Sequence, residues 1–153
     1  MTDPHVLTHI HGAVGVMTFN RSAQMNTLDL PMVLAMEEAL QGMESNDAVK
    51  VLLITGGESN VFMAGGNIAD LNQRHALSHY KDFAVVLHRV FRRFEECPKP
   101  TIARVQGACI AGAFMVANMC DLIVASDDAY FADPVCKTLA AAAVEVLVHP
   151  YVM

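Results

Sequence analysis

The stretch that most limits how this chain can fold is GACIAGAFMVANMCD, residues 107–121, which carries no charge until its last residue. Its first half is small: Gly107, Ala108, Ala111, Gly112 and Ala113. Small residues at the entry of a helix let another main chain or a ligand come close. The unpaired N–H groups of a helix's first turn then offer donors to a negative atom. A second junction of similar composition, FMAGGNI at 62–68, follows the strand-like run VKVLLITGG at 49–57. The 107–114 junction likewise follows PTIARVQ at 100–106. Two such junctions facing one cleft would supply two donors to one oxyanion. Alternatively, the glycines serve only tight turns and close helix packing.

The surrounding segments read as an α/β chain. VLTHIHGAVGVMTFN, residues 6–20, alternates apolar and polar residues around Gly12, the pattern of an antiparallel hairpin. DLPMVLAMEEALQGM, residues 29–43, puts Pro31 in a first helical turn and spaces Leu30, Val33, Leu34, Glu37 and Leu40 along one largely apolar face. VKVLLITGG is a β-rich run closed by two glycines and is expected to be a strand buried on both faces. A helix is expected from about Ile68 to Cys97, broken near RHALSH at 74–79. PKPTIARVQG then supplies a Pro-bounded strand, GAFMVANMC a short helix, and DLIVAS and AYFADP two further strands. The alanines of LAAAAVEV, residues 139–146, suit another helix start. Length predicts a single domain over residues 1–153. There is no GxGxxG turn and no GxxxxGK[ST] loop, which disfavours nucleotide chemistry.

Composition narrows the partners. Hydrophobic residues make up 54% and charged residues 17%, against roughly 25% charged in an ordinary soluble domain, so some apolar surface is expected to meet another chain. A formal charge of -6 argues against nucleic acid, which requires a basic stripe. Arg89, Arg92 and Arg93 read as a solvated helix face or as a local anion contact. No apolar run reaches the roughly 18 residues that would span a bilayer. MTDPHVLTHI lacks the features of a signal peptide, and a cytoplasmic protein is expected. Cys97, Cys109, Cys120 and Cys136 form no CxxC pair and are expected to be reduced, mostly buried thiols. His75 and His79 at i, i+4, and His9 and His11 on one strand face, lack a third nearby ligand, so no metal is expected.

FMAGGNIADL together with GACIAGAFMVANMCDLIVASDDAYFADP resembles the two signatures of the crotonase family, the enoyl-CoA hydratases and isomerases. The supporting pieces match in order: FNRSAQMNTL resembles the family's first loop, VLLITGG its strand and KPTIARVQG the lead into its second signature, so that the resemblance covers about residues 6–135. It implies an α/β superhelix of repeated β-β-α turns, C-terminally incomplete here, and an acyl-CoA substrate held by its thioester. It carries the family's two oxyanion donors onto the backbone N–H groups of Gly66 and Gly112. It carries the coenzyme A contacts onto the backbone around Gln24, Met25 and Ala64. Coenzyme A belongs to the substrate, so no separate cofactor is implied. By family analogy the chain is a homo-oligomer, a trimer or hexamer.

The departures are as specific as the matches. The family's hydratases carry one glutamate in the helix after the glycine-rich turn and another after the following proline; here those positions are Met115 and Val135. Neither side chain can move a proton, and general acid–base catalysis supplies about 10²–10⁴ in rate per group. Asn67 replaces an acidic residue usual after the first signature. Two replacement groups are conceivable: Glu145, near where the family chain returns to the site, and Asp133, which either faces the pocket or caps a turn. The expected function is therefore an acyl-CoA enzyme of the enoyl-CoA hydratase/isomerase type, acting in fatty acid metabolism through a thioester enolate, with Glu145 as candidate base. The alternatives are a non-catalytic acyl-CoA-binding or assembly subunit and a structural fragment without a ligand site.

Overall fold

The computed structural model describes residues 3–73 and 80–138. The chain opens with the hairpin β1 (Val6–His11) and β2 (Val14–Phe19), paired antiparallel, with Gly12 at φ +59° in the turn. A 3₁₀ turn (Ser22–Gln24) leads into α1 (Leu30–Glu44). Asp29 caps that helix by accepting from Met32 N at 3.0 Å, and Pro31 sits in the first turn, where a missing N–H costs nothing.

Three β-β-α turns follow. The first comprises β3 (Val51–Thr55), β4 (Val61–Met63) and α2 (Ile68–Gln73). After it, a π-helical turn (Tyr80–Ala84) runs into α3 (Val85–Glu95). The second comprises β5 (Thr101–Val105), β6 (Ala108–Ile110) and α4 (Gly112–Asn118); the third, β7 (Leu122–Ala125), β8 (Tyr130–Ala132) and α5 (Val135–Thr138). The first strand of each turn joins a five-stranded sheet of order β1-β2-β3-β5-β7, parallel from β2 onward; the second joins a parallel three-stranded sheet, β4-β6-β8. This is the superhelix of β-β-α turns that the resemblance implied. The short strands β4 and β6 had no sequence signal of their own. Each is three residues long and read as part of a glycine junction.

Passing from one sheet to the other within a few residues requires close main-chain approach. Gly107, at φ +59°, lies so near Asn60 that a Cβ there would stand 1.9 Å from its carbonyl oxygen. Any side chain would force the corner apart.

The core lies between the five-stranded sheet and the helices. Met17, Phe19, Leu52, Ile54, Ala103 and Val105 on the strands meet Met32, Val33, Met36, Leu40 and Met43 of α1, Val90 and Phe94 of α3, and Val116 of α4. The α1 stripe differs from the periodicity reading. Val33 and Leu40 are buried as expected, but the other buried positions are Met32, Met36, Ala39 and Met43, while Leu34 is 44% exposed. Two apolar stripes fit this helix, and the methionine-rich one faces the sheet because flexible thioethers fill its irregular gaps. Glu37 instead pairs with Arg89 of α3 at 2.5 and 2.7 Å, and Glu44 takes Arg93 at 2.6–3.2 Å. Arg89 and Arg93 thus clamp α3 onto α1, while the exposed Arg92 pairs with Glu96 at 3.8 Å; the anions the basic run meets are carboxylates of this chain. In β3, Leu52, Ile54 and Thr55 are buried but Val51 and Leu53 are only half-buried, so its outer face is less covered than the sequence suggested.

Candidate functional site

The two glycine junctions meet. Gly65 adopts φ +79°, and a Cβ there would lie 2.9 Å from both Ala111 Cβ and Ile110 O, and 3.2 Å from Gly112 N. A Cβ on Gly112 would lie 3.0 Å from Leu28 Cδ1 and 3.7 Å from Gly65 Cα. Leu28, Gly65 and Gly112 therefore converge at one point, where a side chain on Gly65 would clash and one on Gly112 would have to displace Leu28 Cδ1. Small residues stand at both junctions because the two backbones pack against each other.

The direction of the Gly66 amide follows from local pairing. Leu28 N donates to Gly65 O at 2.7 Å, and Asn67 N donates to Leu28 O at 2.8 Å, a one-residue parallel bridge between Leu28 and Gly66. Along an extended segment successive peptide groups point to opposite sides. With Gly65 O and Asn67 N turned toward Leu28, the N–H of Gly66 points away from it. Gly112 begins α4, so its N–H has no intrahelical acceptor. Among the described residues no acceptor takes either amide.

Between Arg21 and Asp29 the loop is tied to the first junction. Gln24 closes the 3₁₀ turn and Met25 follows at φ +54°, its side chain 47% exposed and its carbonyl accepting from Ala64 N at 3.0 Å. Gln24, Met25 and Ala64 are thus adjacent. At the base of the loop Arg21 Nη1 donates to Asp29 Oδ2 at 2.6 Å. Burial pushes the Asp29 carboxyl up, but hydrogen bonds from Arg21 and Met32 and the charges of Arg21 and His5 outweigh it, holding the group below its ordinary value. Asn26, which the sequence reading passed over, is fully buried at φ +51° and hydrogen-bonds across to β4. Its only sequence signal is an Asn in a polar loop, a residue tolerant of left-handed backbone.

Asn67, Met115 and Val135, the positions that the resemblance singled out, have definite surroundings. Asn67 Oδ1 accepts from Ala69 N at 3.1 Å and Asp70 N at 3.2 Å, so the amide caps α2 as a carboxylate would. Met115, on α4, packs half-buried against the core, and Phe114 beside it meets Phe131 at 5.6 Å. Val135 opens α5, its N–H donating to Asp133 Oδ1 at 3.2 Å, the turn-capping role that was one of the two readings of Asp133. Glu145, His75, His79 and the alanine run lie outside the described residues. Cys109 and Cys120 are free and buried, their thiols pushed up to about 12 chiefly by burial. Among the described residues no group of three His, Cys, Asp or Glu side chains is placed to hold a metal, and no helix is long and apolar enough to cross a membrane.

Against this geometry, the sequence matches the family model described as enoyl-CoA hydratase/isomerase over residues 9–146. The chain belongs to the enoyl-CoA hydratase/isomerase family. Within it, the short-chain-enoyl-CoA hydratase of Clostridium acetobutylicum is 31% identical over 130 residues, covering 85% of this chain and 49% of that protein. A protein of Arthrobacter named 4-chlorobenzoyl coenzyme A dehalogenase-2 is 30% identical over 133 residues, covering 85% of this chain and 48% of its own length. Among solved structures, an enoyl-CoA hydratase/isomerase from Xanthobacter autotrophicus Py2 superimposes with a TM-score of 0.83 at 30% identity, covering 89% of this chain and 51% of that one. The chain spans about half the length of the curated relatives it matches.

Proposed function

We propose that this family member binds an acyl-CoA thioester and stabilises its enolate with the backbone N–H groups of Gly66 and Gly112. The observation that carries the reading is the convergence of Leu28, Gly65 and Gly112, with the Gly66 amide turned away from Leu28. When a thioester carbonyl enolises, charge collects on oxygen. Fixed donors meet that charge without the reorganisation that water would require, and losing one such donor costs about 10²–10³ in rate. Gln24, Met25 and Ala64, held together by the bond from Ala64 N to Met25 O, are assigned to coenzyme A through their main chain. No metal or redox cofactor enters this chemistry, because the donors are peptide groups and coenzyme A arrives with the substrate.

Glu145, outside the described residues, is the candidate for proton transfer on the family resemblance alone. Met115 and Val135 supply no proton-transfer group, which suits enolate chemistry other than efficient addition of water, isomerisation included. Those same two residues favour the second reading, an acyl-CoA-binding or assembly subunit without turnover. Leu122 and Val124 on β7 and Tyr130 on β8, about 60% exposed at the ends of the two sheets, support self-association, which sedimentation would measure.

Calorimetric titration of the 153-residue chain with crotonyl-CoA, with Gly112→Val as control, tests the reading. Binding by the parent that is lost in the control is expected. Absence of binding by the parent sinks it. Enoyl-CoA turnover surviving Glu145→Gln would remove Glu145 as the base, and binding without any turnover would leave the non-catalytic subunit.

A further inference from the structure

We infer that Asn26 is a positioning residue, whose side chain locks the loop assigned to coenzyme A onto the glycine turn that carries the Gly66 donor. The inference rests on the functional reading above and adds a residue to which that reading gave no role. Asn26 is fully buried and left-handed. Its Oδ1 accepts from Arg21 N at 2.8 Å, while its Nδ2 donates to Val61 O at 3.3 Å and Phe62 O at 3.1 Å. Its own N–H donates to Arg21 O at 2.9 Å. One side chain thus closes its own loop and grips the last strand before Ala64, Gly65 and Gly66.

Around it the two segments are joined by main chain: Ala64 N to Met25 O, Leu28 N to Gly65 O, and Asn67 N to Leu28 O. The last two bonds set the direction of the Gly66 amide. Among the described residues, Asn26 is the one side chain that hydrogen-bonds between 21–29 and 61–67. Two consecutive non-glycine residues at positive φ, Met25 and Asn26, are an unfavourable local conformation. They persist only where surrounding contacts over-determine them, and the Asn26 amide supplies those contacts. Without it the loop relaxes, Leu28 shifts, and the Gly66 N–H loses its fixed direction.

The test compares the parent with Asn26→Gly, which keeps the backbone conformation accessible, and Asn26→Asp, which keeps the acceptor but loses the donors. Amide hydrogen exchange on the unliganded chain comes first. Protection of the Leu28, Ala64 and Asn67 amides is expected to fall together, by about fivefold for the loss of one net hydrogen bond, with the β1–β2 hairpin unchanged. Calorimetry with free coenzyme A and with crotonyl-CoA then reads the site. The preference of the parent for the thioester is expected to collapse toward unity in the folded variants. Val49→Ala, a buried core change away from both segments, is expected to lower stability while keeping that preference. Unchanged exchange at the three amides, or variants that are merely less stable and keep the parental ratio, overturns the proposal. If the parent binds neither ligand, the functional reading fails and the site role of Asn26 falls with it; the exchange result then still shows whether Asn26 couples the two segments.

Discussion

Between Met63 and Ile68 the chain turns into α2 under the control of hydrogen bonds, whereas between Ile110 and Ala113 it turns into α4 under the control of shape. At the first junction Asn67 caps the helix, Ala64 and Leu28 tie it to the 21–29 loop, and Asn26 grips the strand that enters it. The second junction has no side-chain cap. Ala111 stands at φ +53°, ψ −121°, a conformation that suits glycine, with its N–H donating to Ala132 O at 2.8 Å and its carbonyl accepting from Phe114 N at 2.8 Å. Its Cβ occupies the space that a side chain on Gly65 would need. Two stretches of similar composition thus arrive beside each other by different means, and they should fail differently.

The largest effect is expected where the two supports interlock. Gly65→Ala imposes a side chain at positive φ and drives it into Ala111 Cβ and Ile110 O. Strain and overpacking together predict a loss of roughly 3 kcal/mol, read from urea unfolding; a loss below about 1 kcal/mol would show that the junctions yield independently. At the hydrogen-bonded junction, Asn67→Ala should cost about 1 kcal/mol by removing the α2 cap, with Asn67→Asp close to neutral. Equal losses in both variants would discard the capping role. At the shape-controlled junction the sign reverses: Ala111→Gly should stabilise by about 0.5–1 kcal/mol, because relief of positive-φ strain exceeds the entropy cost of glycine. Destabilisation there would mean that Ala111 Cβ contributes packing that outweighs its strain.

The smallest effect is pH-dependent and belongs to the loop beside the first junction. The Asp29 carboxyl is depressed on folding, so the unfolded chain binds its proton more readily. That stability is present above the ordinary carboxylate range near pH 4 and is lost as pH falls through the lower folded value. Asp29→Asn should flatten this acid limb in thermal melts taken from neutral pH downward. An acid limb that keeps its slope would assign the dependence to other carboxylates.

Legibility differed by element. The hairpin, β3, β5, β7, β8, α1 and α4 were readable because each carries its own periodicity or turn residue, Gly12 and Pro31 among them. The strands β4 and β6 were not: each is three residues long and is embedded in a glycine-rich junction that read as a turn, whereas the equally short β8 shows as the aromatic pair Tyr130 and Phe131 before Pro134. The buried stripe of α1 was misassigned because two apolar stripes coexist on the helix and only the sheet chooses between them. For the site, the small residues at 65, 66, 111 and 112 were visible as composition. That a side chain on Gly65 would meet Ala111, and one on Gly112 would press on Leu28, was not.

Sequence by itself determined the local pieces: strands closed by glycine, and helices entered through Pro31 and small residues. Those follow from backbone freedom, side-chain periodicity and residue chemistry, all of which act within a few residues. Tertiary structure alone decided that the two junctions touch, that Arg89 and Arg93 clamp α3 to α1, and that Asn26 faces the carbonyls of Val61 and Phe62. Each of those contacts joins groups distant along the chain, and its partner is fixed only when the two sheets wind past each other.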